Sequence, residues 1–213
     1  RREDARKKIY DFMREEIKKG RQGYIVYPLI ETSEKSDLKA ATEAHGHLAK
    51  KIFPDLRLGL LHGRMKSAEK QEVMAQFKNH QLDILVSTTV IEVGVDVPNS
   101  TMMLIEHAER FGLTQLHQLR GRVGRGGEQS YCILMIAKNE LMEETETRIK
   151  IMEETTDGFR IAEEDLKLRG PGELLGQQQS GLPRFRFGNL AADLDLIRKA
   201  RELAAGLGEK NVK

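Results

Sequence analysis

"DILVSTTVIEVGVDVPNSTMMLIEH", residues 83–107, carries the pattern that decides the fold. Two apolar runs, "DILVST" and "TMMLIEH", read as buried strands. Between them lie Gly94, Asp96 and Pro98, residues of a connection rather than of a sheet. Working outward, "YIVYPLI" (24–30), "LRLGLL" (56–61) and "YCILMI" (131–136) read as three further strands. Helical periodicity fills the gaps. An amphipathic helix near the start has Ile9, Phe12, Met13 and Ile17 on one face. Residues 37–52 form a second helix. A third is capped by Ser67 and has Val73, Met74 and Phe77 as its apolar face. A fourth spans 114–123. Strands alternating with helices predict an α/β fold, a parallel sheet with helices on both faces. In such sheets the ligand-binding edge is expected at the carboxyl ends of the strands.

The character changes after about Lys138. "NELMEETETRIKIMEETTDGF" (139–159) is acidic and helical, and "IAEEDLKLRGPGELLGQQQSGLPRFRFGN" (161–189) is rich in Gly and Gln. Residues 193–205 close the chain as a short helix. The expected organisation is a sheet domain over 1–138 and a smaller helical and loop appendage over 139–213.

Composition narrows the function. The chain has 213 residues, enough for one or two domains with a real core. Its net charge of +2 gives no overall polyanion footprint, so any anion site must be local. The single cysteine, Cys132, sits in an apolar run and reads as a small core residue. No disulfide framework is possible within the chain, which suits a reducing compartment. The six histidines show no metal-binding spacing, so no metal site is expected. No apolar run approaches a membrane span, and no membrane partner is expected. A start without Met fits a piece of a longer protein.

One local anion site stands out. In "QLRGRVGRGG" (118–127), Arg120, Arg122 and Arg125 are interleaved with glycine. Three like charges repel, and helical glycine costs roughly 1 kcal/mol relative to alanine. Gln118, Gly121, Arg122 and Arg125 lie at i, i+3, i+4 and i+7, one face of a helix. Leu116, Leu119 and Val123 occupy another face and can pack on the sheet. Arginine stays charged and its planar fork matches phosphate oxygens. A solvated basic turn and a simple charge patch for nucleic acid fit the same stretch. In "STTVIEVGVDVP" (87–98), the hydroxyls of Ser87, Thr88 and Thr89 stand at a strand end, where they can bond phosphate. Gly94 permits a turn. Asp96 offers a carboxylate to a ribose hydroxyl, or is an ordinary turn residue.

Taken in order, "STTVIEVGVD" and "QLRGRVGRGG" resemble the fifth and sixth motifs of superfamily-two helicases, and "YIVYPLIE" and "LLHGRM" look like the segments that precede them. Such helicases bind ATP between two RecA-like domains. The resemblance implies that this chain is the second, C-terminal one. "DGFRIAEEDLKLRGPGELLGQQQSGLPRF" (157–185) resembles the translocation motif of the branched-DNA helicases in that superfamily, a version of which the transcription-repair coupling factors share. The likeness runs from about Tyr24 to the C-terminus.

The resemblance carries roles with it. Arg122 and Arg125 match arginine fingers. Gly94, Asp96 and Gln118 match nucleotide-side positions. Thr88, with Thr89, Gly63 and Arg64 beside it, matches contacts to the nucleic-acid backbone, and Arg169 and Gln179 match the translocation motif. It implies a double-stranded DNA translocase acting on stalled forks and Holliday junctions in bacterial recombination and repair, located in the cytoplasm. ATP and Mg²⁺ are the implied cofactors. No phosphate loop and no acidic magnesium box occur in the sequence. Both cofactors are therefore expected on an upstream RecA-like domain, with a duplex-splitting wedge domain also upstream. The chain alone is expected to be inactive. The alternatives are a coupling-factor motor domain, a stand-alone nucleic-acid-binding module, and a protein-docking module built on the acidic helices.

Overall fold

In the computed structural model the described residues are 1–28, 34–88, 96–137 and 141–173, with the side chains of 34–40 and 169–173 excepted. The chain divides into two compact units, Arg1–Glu154 and Thr155–Lys213. The first contains a five-stranded sheet. Its strands are β1 (Gln22–Tyr27), β2 (Leu58–Leu61), β3 (Ile84–Thr88), β4 (Ser100–Ile105) and β5 (Tyr131–Leu134). The order is β2-β3-β1-β4-β5, and every neighbouring pair is parallel. All five apolar runs therefore become strands, in the parallel α/β arrangement expected of the sequence.

The sheet is covered on both faces because its central strands are apolar on both. Helix α1 (Arg6–Lys18) buries Ile9, Tyr10, Met13 and Ile17 against Ile25, Ile84, Val86, Met102 and Leu104. Tyr10 takes the place expected for Phe12. It meets Phe53 edge-on at 5.3 Å, while Phe12 is partly buried and meets Tyr131. Each such aliphatic side chain stabilises the fold by about 1.5–3 kcal/mol when fully buried. Gly20, with φ of +85°, lets the chain turn from α1 into β1. Helix α2 (Glu34–His47) runs into a π-turn, Leu48–Ile52, and Leu48 joins the same core.

Helix α3 (Ser67–Lys78) lies on the opposite face. Its Phe77 packs on Tyr24 with ring centroids 5.0 Å apart, and its carbonyl accepts from Gln22 Nε2 at 2.6 Å. Ser67 does not cap α3. The cap is Lys66, whose backbone N–H donates to the Glu69 carboxylate at 2.7 Å. A glutamate reaching back from the first turn satisfies an orphan donor as a serine would. Helix α4 (Leu113–Arg120) buries Leu113, Leu116 and Leu119, and α5 (Glu143–Glu154) buries Ile149, Ile151 and Met152. In the second unit the described residues form helix α6 (Gly158–Glu173). The short helix expected over 193–205 lies outside the described residues.

Candidate functional site

Helix α4 stops sooner than its spacing suggests. Its last residue is Arg120, Gly121 caps it, and Gly124 follows with φ of +80°. Only glycine takes that conformation without strain. Gln118 therefore stands on the helix, while Arg122 and Arg125 stand on the turn after it. The single helical face expected for these residues does not form, because glycine at 121 and 124 favours the turn over another helical repeat. Val123 lies past the helix end as well but is still buried and anchors the turn.

The turn is fastened at several points. Arg125 Nε donates to the Gly121 carbonyl at 3.0 Å, and its Nη1 lies 3.6 Å from Asp96 Oδ1. A methyl group at Gly126 would come within 2.7 Å of the Pro98 carbonyl oxygen, so that glycine permits close backbone approach. Arg21 pairs with Glu128 across to the start of β1. Asn99 donates to the Gly20 carbonyl at 2.8 Å. Arg125 and Asp96 thus come together where the chain enters β1, β4 and β5. That edge is the amino end of the sheet, not the carboxyl end where ligand sites were expected. The reason is local: Asp96 leads into β4, and the arginine turn leads into β5.

The pair remains open to solvent, with side-chain exposures of 43% for Arg125 and 52% for Asp96. Arg122 is half-buried and Gln118 is exposed. Tyr24, in β1, is buried against Phe77. Burial pushes its phenol up to about 12, Ser100, Arg122 and Arg125 pull the other way, and Asp96 adds to the rise. Ser100 Oγ is itself buried and closes no well-formed hydrogen bond. Sequence reading singled out neither Tyr24 nor Ser100, since each looks like an ordinary strand residue.

The third arginine of the cluster turns away. Arg120 Nη1 donates to the Met152 carbonyl at 2.9 Å, and its Nη2 lies 3.1 Å from His117 Nδ1. It ties α4 to the last turn of α5. Arg148 makes a second tie, donating to the Phe111 carbonyl at 3.1 Å.

The residues matched to nucleic-acid contacts gather elsewhere. Thr88 ends β3, and the turn bearing Gly63 and Arg64 follows β2, the strand beside it. That turn is closed by Met65 N–H to the His62 carbonyl at 3.2 Å, and Lys70 Nζ holds the Gly63 carbonyl at 3.0 Å. Gly63 and Arg64 are exposed, whereas Thr88 is 2% exposed. The hydroxyls of Ser87 and Thr88 and Nδ1 of His62 are buried without a hydrogen-bond partner among the described residues. Desolvation lowers the His62 pKa, so this edge favours the neutral ring. Thr89, Gly94 and Gln179 lie outside the described residues, as does the side chain of Arg169.

Cys132 is largely buried, and burial pushes its thiol up to about 12, the behaviour of an unreactive core residue. No cluster of three metal-ligating side chains occurs among the described residues. No described helix is long and apolar enough to cross a membrane.

Comparison with known proteins identifies the family of the chain. Residues 4–127 match the family described as helicase conserved C-terminal domain. Residues 155–213 match ATP-dependent DNA helicase RecG, domain 3, C-terminal. The ATP-dependent DNA helicase RecG of a Synechocystis species is 57% identical over 93% of this chain and 24% of that protein. The RecG of Thermotoga maritima is 52% identical over 93% of this chain and 25% of that protein. A solved structure of RecG bound to a three-way DNA junction superposes with a TM-score of 0.71 at 48% identity, covering 92% of this chain and 25% of that one. The chain spans about a quarter of the length of these curated relatives.

Proposed function

This chain belongs to the helicase conserved C-terminal domain family and matches the C-terminal portion of RecG helicases, and from that premise we propose that it is the C-terminal motor portion of an ATP-dependent translocase that acts on branched double-stranded DNA. The observation that supports this best is the Arg125–Asp96 pair, held on a glycine turn and left half open to solvent. The two neighbouring guanidiniums, Arg122 and Arg125, provide positive charge and forked donors for a phosphate group. Gln118 and Asp96 are the nucleotide-side residues at this edge, and Gly94 is assigned the same role from the sequence alone.

The residues present fit the polyphosphate of ATP, which supplies the transferable phosphoryl group. Arg122 and Arg125 stabilise the charge that spreads over that group, a role worth about 10³–10⁵ in rate in well-studied systems. Mg²⁺ and the remaining phosphate contacts are assigned to an upstream RecA-like domain, because this sequence holds no phosphate loop and no acidic magnesium box. Gly63, Arg64, Thr88 and Thr89 track the DNA backbone without reading bases, as movement along any sequence requires. In the second unit, Arg169 and Gln179 serve the translocation motif. The sequence assigns 1–138 to the motor half and 139–213 to the appendage, whereas α5 lies within the compact unit of the motor half, Arg1–Glu154.

The test is strand separation by the complete parent protein on a three-way DNA junction, with and without ATP. ATP-dependent separation without RNA polymerase is expected. A requirement for RNA polymerase would instead indicate a coupling-factor motor. The 213-residue chain alone is expected to release no phosphate with junction DNA, and measurable DNA-dependent hydrolysis by it would overturn the half-site reading.

A further inference from the structure

We propose that Lys70 is a positioning residue for the DNA-backbone track, clamping the loop that carries Gly63 and Arg64 so that it keeps its place beside Thr88. The inference rests on the reading of Gly63, Arg64 and Thr88 as backbone contacts.

The loop is short and fastened at both ends. Strand β2 ends at Leu61, which pairs with Ser87. The chain therefore leaves the sheet one strand spacing, about 4.8 Å, from the end of β3 at Thr88. Residues 62–66 then lead to α3, which begins at Ser67. Met65 N–H closes the loop's own turn on the His62 carbonyl at 3.2 Å. The other fastenings come from the first turn of α3. Glu69 accepts from the Lys66 N–H at 2.7 Å. Lys70 N–H donates to the Lys66 carbonyl at 3.0 Å, and Lys70 Nζ donates to the Gly63 carbonyl at 3.0 Å. One residue thus grips both ends of the loop.

The grip fixes an orientation as well as a position. A peptide unit is planar and trans, so a Gly63 carbonyl directed at Lys70 sends the next N–H, that of Arg64, to the opposite side. Gly63 and Arg64 are exposed, while Lys70 is half-buried beneath them in sequence order and in contact. Core packing does not call for the contact, since no residue from 62 to 66 belongs to the buried core. Ordering a lysine side chain costs entropy, which a hydrogen bond from its ammonium offsets. The benefit falls on binding. Gly63 leaves the loop conformationally free, and a loop already set in its bound shape loses less entropy when DNA arrives.

The test uses the complete parent protein with Lys70→Met, Lys70→Arg and Arg64→Ala. ATP turnover is titrated with forked DNA at several salt concentrations, giving the half-maximal DNA concentration and the limiting rate, and urea midpoints are recorded beside them. Lys70→Met keeps the apolar stem and is expected to raise the half-maximal DNA concentration about tenfold, the scale of one charged hydrogen bond. The limiting rate, the urea midpoint and the salt slope are expected to stay at wild-type values. Lys70→Arg, which keeps a charged donor, is expected to restore DNA response to within about twofold. Arg64→Ala, which removes a backbone contact, is expected to lower the salt slope by about one. Lys70→Ser, too short to reach Gly63, replaces Lys70→Met if that variant fails to fold. A slope lowered by about one in Lys70→Met would make Lys70 a phosphate contact and overturn the positioning role. A wild-type DNA response in Lys70→Met, or a loss that follows a lowered urea midpoint, would overturn it too while Arg64→Ala still weakens the response. An unchanged response in both variants would overturn the backbone-track reading itself.

Discussion

Arg6 grips both carboxylate oxygens of Glu106 from a position 100 residues away in sequence. The guanidinium also reaches Glu3 and the Tyr10 hydroxyl. Glu106 follows the end of β4 and its side chain is 2% exposed, so the pair clamps α1 to the carboxyl end of the sheet. Removing one partner of a buried pair leaves an uncompensated charge. Arg6→Ala should therefore destabilise the first unit by about 3 kcal/mol. Glu106→Gln, which keeps shape and loses charge, should cost about 1 kcal/mol. Urea midpoints of the two variants would check this, and equal midpoints for Arg6→Ala and wild type would refute it.

Asp83 gives a pH signature. Burial opposes its ionised form, but the Arg57 side chain and backbone N–H, at 3.0 and 2.7 Å, hold its pKa below the usual value. A carboxyl depressed on folding adds stability above its unfolded pKa of about 3.9 and loses it as pH falls through the folded value. The stability gap between wild type and Asp83→Asn should be constant near neutrality and shrink below about pH 4. A gap independent of pH between 7 and 2 would contradict the pairing.

Gly126 has no room for a side chain. The obstacle is the Pro98 carbonyl, a backbone atom that cannot rotate aside. Gly126→Ala should push the arginine turn away from Asp96 and cost about 1–3 kcal/mol. The parent protein should lose ATP turnover with it. Gly127→Ala meets nothing within 4 Å and is the matched control. Equal behaviour of the two variants would contradict the close approach.

Arg120 should separate from its two neighbours. Its contacts are to Met152 and His117, so Arg120→Ala should loosen α5 from α4 and lower stability by about 1–2 kcal/mol. Faster hydrogen exchange in α5 is the readout. Unchanged exchange there would show that the tie is dispensable.

Much of this was legible in the sequence. Apolar runs gave all five strands because a parallel sheet covered on both faces needs residues such as Ile25, Leu85 and Leu104 without alternation. The glycines around Arg122 and Arg125 marked a special turn. What escaped depends on distance in sequence. No periodicity links Arg6 to Glu106. The length of α4 was overread because the i, i+3, i+4, i+7 pattern continues through Gly121, where the backbone leaves the helix. The edge was misplaced because Asp96 and Arg125 belong to connections entering strands, while the general rule concerns chain leaving them.

The most direct test of the account is phosphate release by the complete parent protein on forked DNA, with Arg125→Ala beside wild type and fork binding measured on both. The account expects turnover to fall about a hundredfold or more while the fork still binds. Turnover that survives while fork binding falls would make the cluster a DNA-binding patch and contradict its assignment to ATP.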